Sequence, residues 1–194
     1  IPEVYKSGMT DVEFQIEIER LMRQNGSIGL FRAFGTNMDI FMGNLLAGDN
    51  AATPSPYDFA MGGEGISDSL PLGANGTTLK EGMSVMVDMA GNFTPYITDM
   101  TRVFSIGQLS DCAYRAYDVA LAIQQDMEDR AKPGISCADL YNSALKKVEE
   151  EGLTDYFMGI KQQAKFVGHG IGIDINELPV FTSRSKEVLE ENMF

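Results

Sequence analysis

An internal echo constrains this chain more than any other feature of its sequence. Lys6-Ser7-Gly8-Met9-Thr10 opens a helical pattern that closes at Gly26, and Lys132-Pro133-Gly134-Ile135-Ser136 opens another that closes at Gly152. Equivalent positions are offset by 126 residues. In each copy a hydroxyl residue can cap the helix while an acid three positions on returns the bond: Thr10 with Glu13, Ser136 with Asp139. Phe14, Ile18 and Leu21 form one apolar stripe at helical spacing, and Leu140, Ala144 and Val148 form the other. A solenoid needs at least three units at a shorter period, so two distant copies predict a duplicated half-domain. Two unrelated helices with good caps would give the same pattern.

Between the helices the backbone chemistry changes. Residues 34–78 are rich in Gly, Asn, Asp, Ser and Pro, with short apolar runs such as Ile40-Phe41-Met42 and Asn44-Leu45-Leu46. They predict short strands joined by long turns. Lys80-Glu81-Gly82 reads as a turn before the β-rich run Ser84–Asp88. Ala90-Gly91-Asn92 then permits a reversal, and Tyr96–Phe104 reads as the returning strand. Ser110 caps a third helix with Ala116, Val119, Ala120, Ile123 and Met127 on one face, and Phe166–Ile175 is again strand-like. This order describes an α+β chain with mostly antiparallel pairing.

The 194 residues suffice for one domain or a little more, with a substantial core. Fifteen basic against 28 acidic residues leave a net charge of −13. That balance opposes binding to nucleic acid and to anionic membranes, both of which reward Lys and Arg. No apolar run is long enough for a membrane span, and no signal peptide is evident. Cys112 and Cys137 form no C-x-x-C pair, so reduced thiols in a cytoplasmic chain are expected. The chain starts without Met and stops inside an apolar run, which predicts a piece of something longer.

Asp88 ends one β-rich run and Asp99 lies eleven residues later on the next. An antiparallel hairpin can bring both carboxylates to one face, where they repel unless a cation or shared proton compensates. Two solvated turn acids are the alternative. His169, the only histidine, sits between Gly168 and Gly170, where backbone or ligand can approach closely. It reads either as a hydrogen-bonded structural residue or as the nitrogen of an O,O,N set suited to Mn, Fe, Co or Zn. The Gly168-x-Gly170 and Gly63-x-Gly65 pairs lack the third glycine of a dinucleotide fingerprint, and no G-x-S-x-G elbow exists. Glu149-Glu150-Glu151 reads as a solvated helix end.

These residues carry a resemblance. Val87-Asp88-Met89-Ala90-Gly91, Tyr96 and Thr98-Asp99-Met100-Thr101-Arg102-Val103-Phe104 resemble the signature strand pair of the pita-bread metallopeptidases. Gly168-His169-Gly170-Ile171-Gly172 and Asn176-Glu177-x-Pro179 resemble that family's third motif. Gly8-Met9-Thr10-Asp11 is similar to the first catalytic-domain helix of the Xaa-Pro branch. The family (peptidase M24) includes methionine aminopeptidase, Xaa-Pro aminopeptidase, prolidase and creatinase. The resemblance implies an α+β pita-bread (creatinase/aminopeptidase-like) fold with two pseudo-symmetric halves, to which the echo corresponds. Residues 1–194 would be its catalytic domain, lacking the final strands, with an N-terminal domain of the parent protein absent.

The resemblance further implies two divalent metal ions, Mn foremost with Co, Zn or Fe as alternatives, held by Asp88, Asp99 and His169. The family's remaining two ligands are glutamates, the first a few residues after a phrase like Glu191-Asn192-Met193-Phe194. Glu177 matches no ligand position. The implied activity is hydrolysis of the peptide bond before proline by an aminopeptidase or dipeptidase of the Xaa-Pro type, with a homodimer as the implied assembly. Asn176 and Leu72 stand where the family has histidines that hold the substrate carbonyl and shuttle protons. Asn176 can still donate a hydrogen bond to substrate, whereas Leu72 cannot. Two alternatives follow: a catalytically impaired pseudo-peptidase that binds a peptide or protein partner in the cleft, and a creatinase-like hydrolase.

Overall fold

The computed structural model describes residues 2–32, 39–55 and 62–194. The chain divides into two compact units, Ile1–Leu109 with Ile171–Asn176, and Ser110–Gly170 with Glu177–Phe194.

The first unit holds helix α1 (Asp11–Gln24) and strands β1 (Leu30–Arg32), β2 (Asp39–Phe41), β3 (Gly43–Ala47), β4 (Met83–Asn92) and β5 (Ile97–Ile106). β1 and β2 pair antiparallel, and β3–β4–β5 form an antiparallel three-stranded sheet. The predicted capping box closes both ways at α1: Thr10 Oγ1 accepts from the Glu13 amide at 3.1 Å, and Glu13 Oε2 accepts from the Thr10 amide at 2.9 Å. The helix stops at the cap Asn25, with Gly26 in the left-handed region at φ +101°. Phe14 and Ile18 bury against Leu45, Ala47, Val85, Val87 and Met89. Burying each such side chain stabilises by roughly 1.5–3 kcal/mol. Because side chains alternate along a strand, committing Val85, Val87 and Met89 to α1 places Met86, Asp88 and Ala90 on the other face.

The second unit holds α2 (Asp111–Arg130), α3 (Cys137–Glu150) and the antiparallel pair β6 (His169–Gly170) and β7 (Glu177–Val180). Ser110 and Ser136 cap the two helices as predicted. The return bond expected from Asp139 is not made, since its side chain is one methylene shorter than the glutamate at α1. Ile123 of α2 packs with Ala144, Val148 and Leu153, flanked by Val119 and Met127. Ala120, expected on that apolar face, is exposed.

Two further expectations shift. The β4–β5 reversal falls at residues 93–96 rather than at Ala90-Gly91-Asn92, because Gly91 and Asn92 stay in the ladder opposite Thr98 and Ile97. Thr94 Oγ1 accepts from the Tyr96 amide at 3.1 Å and closes the turn. Gly91 serves close approach instead, since a Cβ there would lie 2.4 Å from Thr98 Oγ1. The strand expected over Phe166–Ile175 is reduced to His169–Gly170, after which the chain turns back toward β7. Part of the turn-rich segment 34–78 lies outside the described residues.

Candidate metal centre

The β4–β5 register decides how the two predicted carboxylates stand. Asp88 is directly opposite Thr101, and Ala90 is directly opposite Asp99. Asp88 and Ala90 are two residues apart on one strand, so Asp88, Asp99 and Thr101 share a face of the sheet. The carboxylates are diagonal neighbours, a relation that separates Cα atoms by about 7–8 Å. Thr101 Oγ1 donates to Asp88 Oδ1 at 2.5 Å. On the other flank Asn44 of β3 is directly opposite Asp88. Asp88 is half-buried and Asp99 exposed.

The segment over residues 62–76 covers the β3 end of this face. Asn44 Oδ1 accepts from the Ala74 amide at 3.0 Å and the Leu45 amide at 3.2 Å. Asn50 Nδ2 donates to the Gly73 carbonyl at 2.8 Å, while its Oδ1 accepts from the Glu64 amide at 2.8 Å. Asp11, at the start of α1, accepts from the amides of Asn75 at 3.2 Å and Gly76 at 2.8 Å. Gly73 is needed for contact, because a Cβ there would lie 2.0 Å from Asn44 Oδ1. Leu72 therefore belongs to a tightly held segment and is itself only 7% exposed. Sequence reasoning missed Asp11, Asn44 and Asn50. Their only signal is that side chains able to bond backbone amides stand beside a Gly-rich stretch.

In the second unit, His169 lies on β6 with Nδ1 at 2.9 Å from the Gly170 carbonyl oxygen. A carbonyl can only accept, so Nδ1 carries the proton in this bond. Phe166 meets the ring edge-on, with centroids 6.0 Å apart. A cavity of about 270 Å³ beside His169 is bounded by Lys132, Pro179, Phe181 and Glu190. Asn176 ends the segment Ile171–Asn176, which belongs to the first unit; there the Ile97 amide donates to the Gly172 carbonyl at 2.8 Å. Among the described residues, no group of three or more His, Cys, Asp and Glu is gathered in a form that could hold a metal ion.

The model of metallopeptidase family M24 matches residues 1–194, the whole chain. The chain belongs to metallopeptidase family M24. A Xaa-Pro dipeptidase of Pyrococcus furiosus is 28% identical over 145 residues, covering 74% of this chain and 40% of that protein. A Xaa-Pro dipeptidase of Lactobacillus delbrueckii subsp. lactis is 25% identical over 197 residues, covering 98% of this chain and 44% of that protein. Among solved structures, the X-Pro aminopeptidase of Thermotoga maritima superposes with a TM-score of 0.76 at 25% identity, covering 98% of this chain and 45% of that one. The methionine aminopeptidase of the same organism, at 18% identity and TM-score 0.66 over 96% of this chain and 66% of that one, shares the fold. This M24 chain thus has the α+β pita-bread architecture that its motifs imply, and it spans less than half the length of these curated relatives.

The donor types at this face are ones that a divalent cation takes, although no set of three is gathered among the described residues. Two carboxylates share a sheet face, and Asp88 Oδ1 accepts from the Thr101 hydroxyl. Hard and borderline cations take such oxygen donors, and an imidazole nitrogen suits the borderline ones.

Proposed function

We propose that this chain is the greater part of the catalytic domain of a metal-dependent peptidase of the Xaa-Pro aminopeptidase or prolidase type, cleaving the bond before proline. Asp88, Asp99 and His169 would be the ligands it contributes to a site for two divalent ions, with Mn the first candidate. The observation that carries this reading is the pair Asp88 and Asp99 on one face of the β4–β5 hairpin, within a chain matched throughout by the M24 model. Bound there, such ions supply Lewis-acid polarisation of the scissile carbonyl and lower the pKa of water toward neutrality. The chain's own residues would hold and orient: the carboxylates would fix position and charge, and the bond from His169 Nδ1 to the Gly170 carbonyl fixes the direction of the ring. Asn176 can donate to a substrate carbonyl. Leu72 can neither donate nor accept a proton, so any transfer from its position must use another group.

A second reading, a catalytically impaired pseudo-peptidase that retains the cleft for a peptide or protein partner, is favoured by Leu72. General acid–base groups contribute about 10²–10⁴-fold, and two positions where the resemblance places histidine lack one. The test is hydrolysis of Xaa-Pro dipeptides and of longer peptides with proline second, using the full gene product with Mn, Co or Zn. Turnover confined to bonds preceding proline is expected. Absence of turnover with every metal, alongside retained peptide binding, would establish the pseudo-peptidase.

A further inference from the structure

We propose that Thr101 is a positioning residue for the metal ligand Asp88, setting the direction of its carboxylate before a cation arrives. The inference rests on the reading of Asp88 as a ligand. Its observation is the 2.5 Å bond from Thr101 Oγ1 to Asp88 Oδ1 between residues directly opposite in the β4–β5 ladder.

The terminal torsion of an aspartate is broad and roughly two-fold, so an unsupported carboxylate samples many directions. A charge-assisted hydrogen bond at one oxygen narrows that range and aims the remaining lone pairs. Thr101 suits this task in two ways. Its β-branched side chain is stiff at χ1 on a strand, so the hydroxyl is itself directed. Being neutral, it orients the carboxylate without cancelling the charge that attracts a cation, as Lys or Arg would. Register makes the arrangement specific, since a one-residue slip would send the hydroxyl to the opposite face. An ordinary cross-strand polar pair predicts a small stability effect and nothing at the metal.

Calorimetric titration with MnCl₂, together with the Mn(II) paramagnetic resonance line shape, separates the two accounts on the full gene product. Thr101→Val keeps the β-branched shape and removes the donor; Thr101→Ala is a second deletion should valine disturb folding, and Thr101→Ser retains the hydroxyl. Supporting ligand residues typically contribute 10–100-fold to metal affinity. The expected result is a loss of that size in Val and Ala, recovery to within a few-fold in Ser, and only a small change in metal-free melting across the set. Equal Mn affinity in wild type and Thr101→Val, with Asp88→Ala abolishing binding, would overturn the role of Thr101 and leave Asp88 a ligand. No Mn uptake by the wild type would instead overturn the ligand reading, and this inference with it.

Discussion

Asp11 illustrates how much one side chain can organise. It is 0% exposed, and its carboxylate accepts from the amides of Val12 at 2.8 Å, Asn75 at 3.2 Å and Gly76 at 2.8 Å. A buried carboxylate is tolerable when its lone pairs are taken in this way. Asp11→Ala should destabilise the fold by roughly 2–4 kcal/mol, because hydrogen bonds to charged groups are worth about 1.5–3 kcal/mol and the amides lose their acceptor; urea unfolding measures it. Cys137 presents a different case. It is fully buried, and burial, reinforced by the charge of Glu187, pushes its thiol pKa up, whereas Cys112 is exposed. Since the thiolate is the reactive species, Cys112 should react with Ellman's reagent in the native protein, a signal lost in Cys112→Ser, whereas Cys137 should react only on denaturation.

At the scale of elements, a polar lock joins α2 to α3. Ser143 Oγ donates to Asp126 Oδ2 at 2.9 Å, Arg130 Nη1 donates to the same oxygen at 3.2 Å, and Arg130 also donates to Ser143. The hydrogen bond from Ser143, followed by the guanidinium of Arg130, holds the Asp126 carboxyl below its ordinary value against the opposing effect of desolvation. A depressed folded pKa contributes stability that is present above the unfolded carboxylate value, near 3.9, and is lost as pH falls through the folded one. Ser143→Ala should therefore cost about 0.5–1.5 kcal/mol at neutral pH and less in acid, flattening the acid limb of thermal stability measured by calorimetry. Helix existence, caps and stops were legible in sequence, because they depend on residues within one turn of each other. The position of the β4–β5 turn was not: Gly91 and Asn92 have turn chemistry, and pairing with Thr98 and Ile97 overrides it.

For the whole molecule, the proposed ligands Asp88, Asp99 and His169 lie far apart in sequence. The proposed ligand set therefore predicts that substitutions far apart in sequence act on one observable. Calorimetry on the full gene product should show two Mn equivalents bound. Asp99→Ala should abolish both, and His169→Ala should weaken binding by 10-fold or more, the scale on which metal affinity answers to its immediate surroundings. Retention of both equivalents in Asp99→Ala would remove the carboxylate pair from the metal site.

The sequence by itself determined the capped helices, their apolar stripes, the acidic balance and the motifs around Asp88, Asp99 and His169, all written in short-range spacing. Dihedral preference and side-chain periodicity are local, so neighbouring residues are enough to specify them. Only the tertiary structure decided that Asp88 and Asp99 are diagonal rather than opposite, that Thr101 is the residue facing Asp88, and that Asp11, Asn44 and Asn50 secure the segment bearing Leu72. Ladder register, and bonds that cross tens of residues, follow from how whole faces bury against one another. A one-residue change in that packing would exchange every partner.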